Sequence, residues 1–143
     1  MEVTGTRIAL FAAFALISML QFEAIDATHE HANKVTNIFR RVKQDKTKNA
    51  VYLDSVHTGV KTLLKDPLVS KAMLLPAGTK ISDDCLNALV DEAREHENKF
   101  YADFTYNCEG HIGTSYPCLE KGRATYYENL KALEASTAKC CNM

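Results

Sequence analysis

Residues 82–141 read SDDCLNALVDEAREHENKFYADFTYNCEGHIGTSYPCLEKGRATYYENLKALEASTAKCC, and they hold all five cysteines of the chain. Apolar residues recur here at spacings of three and four: Leu86, Leu89, Val90, Ala93, Phe100 and Phe104, then Leu119, Tyr126, Leu130 and Leu133. That period puts each set on one face of a helix. Ser82 can cap the first helix, with Asp83 and Asp84 in its first turn, where the helix dipole favours acids. Gly110 stops it. A turn through Gly113, Thr114 and Ser115 leads to Pro117, which opens the last helix at a position where its missing N–H costs nothing.

The cysteines then become a problem in geometry. Cys85 and Cys108 sit near the two ends of the first helix, about 34 Å apart at 1.5 Å per residue, and Cys118 and Cys140 are separated by about 33 Å on the second. A disulfide needs its Cα atoms within about 7 Å, so neither pair can bond. A short turn makes the two helices antiparallel, which brings Cys108 beside Cys118 and Cys85 beside Cys140 and Cys141. The expected staples are Cys108 with Cys118 and Cys85 with Cys140. Cys140 lies about 40° from Cys118 around the helix and Cys141 about 140°, yet a fraying terminus can present either, so the choice stays open. The odd thiol, assigned to Cys141, is a candidate free or intermolecular thiol.

Working back toward the N-terminus, Val35, Ile38, Phe39 and Val42 make one stripe, which Thr28 can cap, and Leu53, Val56, Val60, Leu63 and Leu64 make another. Gly59 interrupts the second at a cost of about 1 kcal/mol relative to alanine. Asp66-Pro67 resets the chain, and a short helix carrying Leu68, Val69, Ala72, Met73 and Leu75 follows until Pro76-Ala77-Gly78. There is no alternating β pattern, repeat or low-complexity tract. The sequence predicts an all-α fold, a small helical bundle of four to five helices with a disulfide-stapled C-terminal antiparallel helical hairpin.

Residues 1–27 read as a secretory signal. The run Ile8–Leu20 carries no charge and is shorter than the roughly 20 residues of a membrane span. Small Ala24 and Ala27 offer cleavage sites, Ala27 being preferred because cutting after Ala24 would place Phe22 at a position that wants a small residue; an uncleaved anchor is the rival reading. Cleavage leaves residues 28–143 as a single domain with one core. It removes Arg7 together with Glu2, Glu23 and Asp26, so the formal charge of −1 becomes about +1. A near-neutral domain offers no electrostatic case for nucleic acid, and no later apolar run is long enough for a span. Clustered cysteines beyond a signal fit an oxidising, extracellular location.

Motifs for chemistry are sparse. His29-Glu30-His31 resembles a terminal copper or zinc chelate but lacks a third fixed ligand, and His96 between Glu95 and Glu97 lacks the H-E-x-x-H spacing; both read as solvated histidines and no metal is expected. Arg40, Arg41, Lys43, Lys46 and Lys48 form a basic cluster, interrupted by Asp45, that reads as a solvated helix end. Aromatic residues Phe100, Tyr101, Phe104, Tyr106, Tyr116, Tyr126 and Tyr127 gather in the turn-proximal half of the hairpin, as a core whose hydroxyls reach solvent or as the wall of a pocket between helices. There is no G-x-S-x-G elbow, P-loop or dinucleotide fingerprint, so neither catalytic residues nor a cofactor are expected. The six-cysteine pattern of insect odorant-binding proteins, with its C-x-x-x-C pair, is absent, and spacing assigns no family.

The leading expectation is a secreted, non-enzymatic binding protein that carries a small apolar ligand in a pocket lined by Phe100, Phe104, Tyr126 and Leu130. The alternative is a venom, salivary or defence component that acts on another extracellular protein through surface contacts, or as a homodimer linked through Cys141.

Overall fold

The structure, a computed structural model, describes residues 30–42, 46–108 and 115–143. The expected signal segment and His29 lie outside the described residues, as do Lys43, Asp45 and the turn around Gly113. Helix α1 covers 30–38 and tightens into a 3₁₀ turn, Phe39–Arg41. Helix α2 (Ala50–Gly59) continues through a π-helical stretch, Val60–Lys65, into α3 (Asp66–Met73). Helices α4 (Asp83–Cys108) and α5 (Ser115–Cys140) are each 26 residues long. No strand occurs among the described residues.

The caps follow local chemistry. Asn49 Oδ1 accepts from the amides of Val51 at 3.1 Å and Tyr52 at 3.0 Å, which fixes the start of α2. Ser82 Oγ accepts from the Cys85 amide at 3.3 Å at the head of α4. The last helix begins two residues earlier than Pro117, at Ser115; proline within a first turn interrupts no hydrogen bond, so the helix can start upstream of it. At its other end Asn142 adopts the left-handed conformation, φ 57°. Its amide reaches the Lys139 carbonyl at 3.2 Å while Met143 N–H reaches Ala138 at 2.9 Å, the paired bonds of a Schellman turn.

The break expected at Asp66-Pro67 is absent, and one rod runs from Ala50 to Met73. A proline clashes with the carbonyl four residues back. Here the preceding segment is already widened: the Asp66 amide bonds Lys61 O, five residues back. The same widening keeps one face buried. Tyr52, Val56, Leu64, Leu68 and Ala72 all enter the core, although 20 residues of ideal α-helix would rotate Ala72 about 200° from Tyr52. The underwound π segment takes back part of that rotation. The phase of this stripe also differs from the expected one: Tyr52 is fully buried, and Leu53 only half-buried.

Helices α4 and α5 pack antiparallel along their lengths and carry Leu86, Leu89, Val90, Ala93 and Phe100 against Leu119, Tyr126, Leu130 and Leu133. The rod formed by α2 and α3 lies against this hairpin, mainly against α5. Val35, Phe39 and Val42 complete the core, and Lys34 ties α1 to the head of α4 through the Ile81 carbonyl and Asp83, each at 2.9 Å.

Cystines close both ends of the hairpin: Cys85–Cys140 with Cα atoms 5.9 Å apart, and Cys108–Cys118 with 5.5 Å. Cys141 is free and buried. It belongs to the core cluster, against which Met143 at the chain end also packs. Of the two roles expected for Cys141, free or intermolecular, the single chain has the free thiol, shielded from solvent.

Two stability outcomes follow. A Cβ at Gly59 would stand 2.5 Å from Tyr127 Cε1, so Gly59→Ala should destabilise by about 1–3 kcal/mol in urea unfolding, despite alanine's propensity gain of about 1 kcal/mol; a stabilised variant would refute the close approach. The two cystines span 55 and 10 residues. Replacing both cysteines of a pair by alanine should therefore cost about 4 kcal/mol for Cys85–Cys140 and about 3 kcal/mol for Cys108–Cys118. Equal losses would show that loop entropy is not what the long staple contributes.

Candidate functional site

The centre of the molecule is an aromatic stack with a carboxylate inside it. Tyr52 of α2 lies 5.1 Å from Phe100, 5.1 Å from Phe104 and 5.7 Å from Tyr101, all on α4. Phe100 stacks on Tyr126 of α5 at 4.7 Å with the planes 10° apart. Glu97, one turn before Phe100 on α4, is 2% exposed, and its Oε1 accepts from the Tyr52 hydroxyl at 3.4 Å. Tyr127 Oη donates to the Ser55 carbonyl at 2.8 Å, joining α5 to α2. Burial, then the nearby Glu97 charge, pushes the Tyr52 and Tyr126 phenols well above the usual range. Contrary to the expectation for the aromatic set, the Tyr126 hydroxyl does not reach solvent.

The four residues expected to line a carrier pocket are instead packing partners. Phe100, Tyr126 and Leu130 are each no more than 2% exposed and belong to the core, with Phe104 half-buried against it. Rings in stacking contact leave no room between them for a guest, which removes the observation on which the carrier reading leaned.

Other candidates also change character. Glu30 is exposed, whereas His31 is buried and its Nε2 donates to the Pro76 carbonyl at 3.3 Å, so this ring braces the 76–81 loop. No group of three metal-ligating side chains occurs among the described residues. The basic cluster pins the segment after α1 to α4: Arg41 donates to Asn87 at 2.9 Å, Lys46 to Asn98 while lying 5.6 Å from the Tyr101 ring, and Arg94 donates to the Arg41 carbonyl at 2.7 Å. Arg40 and Lys48 stay exposed. His96 is half-buried, with Nδ1 out of solvent and unpartnered; an unpartnered buried polar atom costs about 1–3 kcal/mol.

The surface of the described residues includes two grooves. One, about 380 Å³, runs between the start of α1 and the 78–83 segment, with Glu30, Lys34, Lys80 and Asp83 around it. The other, about 190 Å³, lies between α4 and α5. Exposed large apolar side chains stand at the two ends of the bundle. Met73 and Leu74, 43% and 85% exposed, close α3 near the Cys85–Cys140 end, where Lys71 pairs with Glu134 at 2.6 Å. Tyr106, 88% exposed, lies on the last turn of α4 near Cys108–Cys118. None of these was singled out as a surface contact in the sequence, because an apolar residue beside a helical stripe carries no mark of which way it faces.

Comparison with known proteins decides what this arrangement belongs to. Residues 25–141 match the family described as aegyptin, C-terminal domain. The chain belongs to that family. Within its range of relatives, a gSG7 salivary protein of Anopheles stephensi is 41% identical over 128 residues, 90% of each chain, and one of Anopheles darlingi is 38% identical over the same shares. Among solved structures, a mosquito complement inhibitor from Anopheles freeborni superposes with a TM-score of 0.72 at 34% identity, covering 78% of this chain and 94% of that one. An anophensin from Anopheles stephensi gives 0.59 at 42%, covering 79% and 96%. Membership in this salivary group makes the chain a secreted protein, all-helical and disulfide-bonded. These relatives are described as salivary proteins and a complement inhibitor, which supports the salivary effector reading over the carrier reading.

The tyrosines of this family member make a pH outcome. Because the folded state holds the Tyr52, Tyr126 and Tyr127 phenols above their ordinary value, the unfolded chain releases these protons first as pH rises past about 10. Stability should be intact below that pH and fall above it. In an alkaline titration, tyrosinate absorbance from the buried rings should appear together with loss of helical circular dichroism; full ionisation with the helices intact would contradict the burial.

Proposed function

We propose that this chain is a salivary effector that binds and inhibits a protein of the complement system. The observation that carries the reading is the likeness to the Anopheles freeborni complement inhibitor, which extends over 94% of that protein at 34% identity. At this identity the helical frame is held in common. The chain's own features support a protein partner. Its near-neutral charge provides little long-range steering, so recognition rests on shaped surface. Its exposed side chains include a methionine, a leucine and a tyrosine, and methionine and tyrosine are types enriched in protein interfaces. Signal cleavage near Ala27, leaving residues 28–143 as one folded unit, is part of the same proposal.

The test is complement-mediated lysis of erythrocytes in serum, with and without the secreted protein. Lysis should fall in a dose-dependent way at micromolar concentration or below. Leu74→Asp, placed on a residue with almost no packing role, should weaken inhibition about tenfold, equivalent to about 1.4 kcal/mol, with an unchanged melting temperature. Undiminished lysis at saturating protein would refute the proposal.

A further inference from the structure

A chain whose formal charge is close to zero can still hold that charge unevenly. Lys34, Lys61, Lys71, Lys99 and Lys131 each face a carboxylate. The basic cluster after α1 is different: Arg40, Arg41, Lys46 and Lys48, together with Arg94 of α4, make no ion pair among the described residues. Three of these cations are held by neutral groups instead. Arg41 donates to Asn87 Oδ1, Arg94 to the Arg41 carbonyl, and Lys46 to Asn98 Oδ1 while standing over the Tyr101 ring. A neutral acceptor fixes the place of a cation without cancelling its charge.

These contacts set the charges in a row. Asn87, Arg94 and Asn98 fall at i, i+7 and i+11 on α4, one face of the helix, and the row runs about 17 Å from the first to the last. Arg40 and Lys48, close to Arg41 and Lys46 in the chain, are exposed. The acids on the same face of α4 are Asp84, toward its head, and Asp91, while Glu95 is engaged by Lys99 at 3.7 Å. Positive charge is therefore in excess. The exposed large apolar residues, Met73, Leu74 and Tyr106, all lie outside this row, and Tyr101 is half-buried with Lys46 over its ring.

We propose that this face binds a sulfated polysaccharide of the glycosaminoglycan class, with the sugar chain lying along α4 across Arg41, Arg94 and Lys46. The composition of the row selects this polyanion over two others. A membrane surface is held by apolar side chains that enter the lipid boundary as well as by charge, and single-stranded nucleic acid by bases stacked on open aromatic faces; the row offers neither. A sulfated sugar chain asks for cationic donors at ordered positions. Arginine supplies a planar fork of donors suited to oxyanions, and side chains already held in place lose less freedom on binding. The inference uses the secreted location of the salivary group and is independent of the complement reading.

The experiment titrates the full secreted protein calorimetrically with a heparin octasaccharide, beside the same oligosaccharide stripped of sulfate, single-stranded DNA of equal charge, and vesicles of equimolar phosphatidylserine and phosphatidylcholine. The octasaccharide should bind saturably at about 0.15 M salt, and its affinity should fall along a log–log line of slope about 3 as salt displaces the released counterions. The three other probes should bind at least about tenfold more weakly. Arg40→Glu with Lys48→Glu, on two exposed side chains, should weaken the octasaccharide about tenfold or more with unchanged circular dichroism. Lys61→Glu with Lys131→Glu makes the same change in net charge on the α2–α3 rod and α5, and should leave the affinity within about twofold. No binding at that salt concentration, equal binding of the sulfate-free chain, the DNA or the vesicles, or equal losses from the two double variants overturns the proposal. Erythrocyte lysis is read separately, so loss of the complement reading leaves this surface standing and the reverse.

Discussion

Two 26-residue helices lying antiparallel, with a cystine across each end, are the constraint from which the rest of this structure follows. A cystine at one end alone would leave the far ends free to splay; ties at both ends limit the hairpin to small changes of register. Every buried position on α4 then meets a fixed position on α5, and the remaining helices have a rigid plate to pack on. The same restraint limits the denatured chain, which matters in a small protein whose net stability is a narrow difference between large terms.

On that plate, the α2–α3 rod is specified by contacts that tolerate little variation. Gly59 allows Tyr127 to approach the α2 backbone, and Tyr127 in turn donates to Ser55. Tyr52 enters between Phe100 and Phe104 and meets the buried Glu97. A carboxylate in a core is expensive to desolvate, and its phenol partner must arrive at one depth and one rotation to hydrogen-bond it. The π segment adjusts rotation along the rod, so that Tyr52 at one end and Ala72 near the other face the same core. Together these features define a single docking of rod on plate.

A rigid stapled frame with chemistry at its surface suits a secreted effector better than a carrier. The interior is filled by rings in contact, while the exposed apolar residues are separated by nearly the full length of the hairpin and the polar groove lies between them on its side. Family membership sets the frame in common with other mosquito salivary proteins; what distinguishes one member from another has to lie in side chains such as these, which the core does not constrain.

The helical class and the stapled hairpin were legible because they rest on local rules: a period of three and four residues, a rise of 1.5 Å per residue, and the short reach of a disulfide. These hold whatever the rest of the chain does. The continuity of Ala50–Met73, the inward turn of Tyr52 and Glu97, and the braced position of His31 were not legible, because each depends on what a distant segment places beside it. The choice between Cys140 and Cys141 shows the boundary most plainly. Helical rotation favoured Cys140 but a fraying terminus left both within reach of Cys85, and only the folded end, ordered by the turn at Asn142 with Cys141 buried, decided which sulfur met its partner. Spacing along one helix determines which residues share a face; which face is buried, and against what, is decided only when the helices meet.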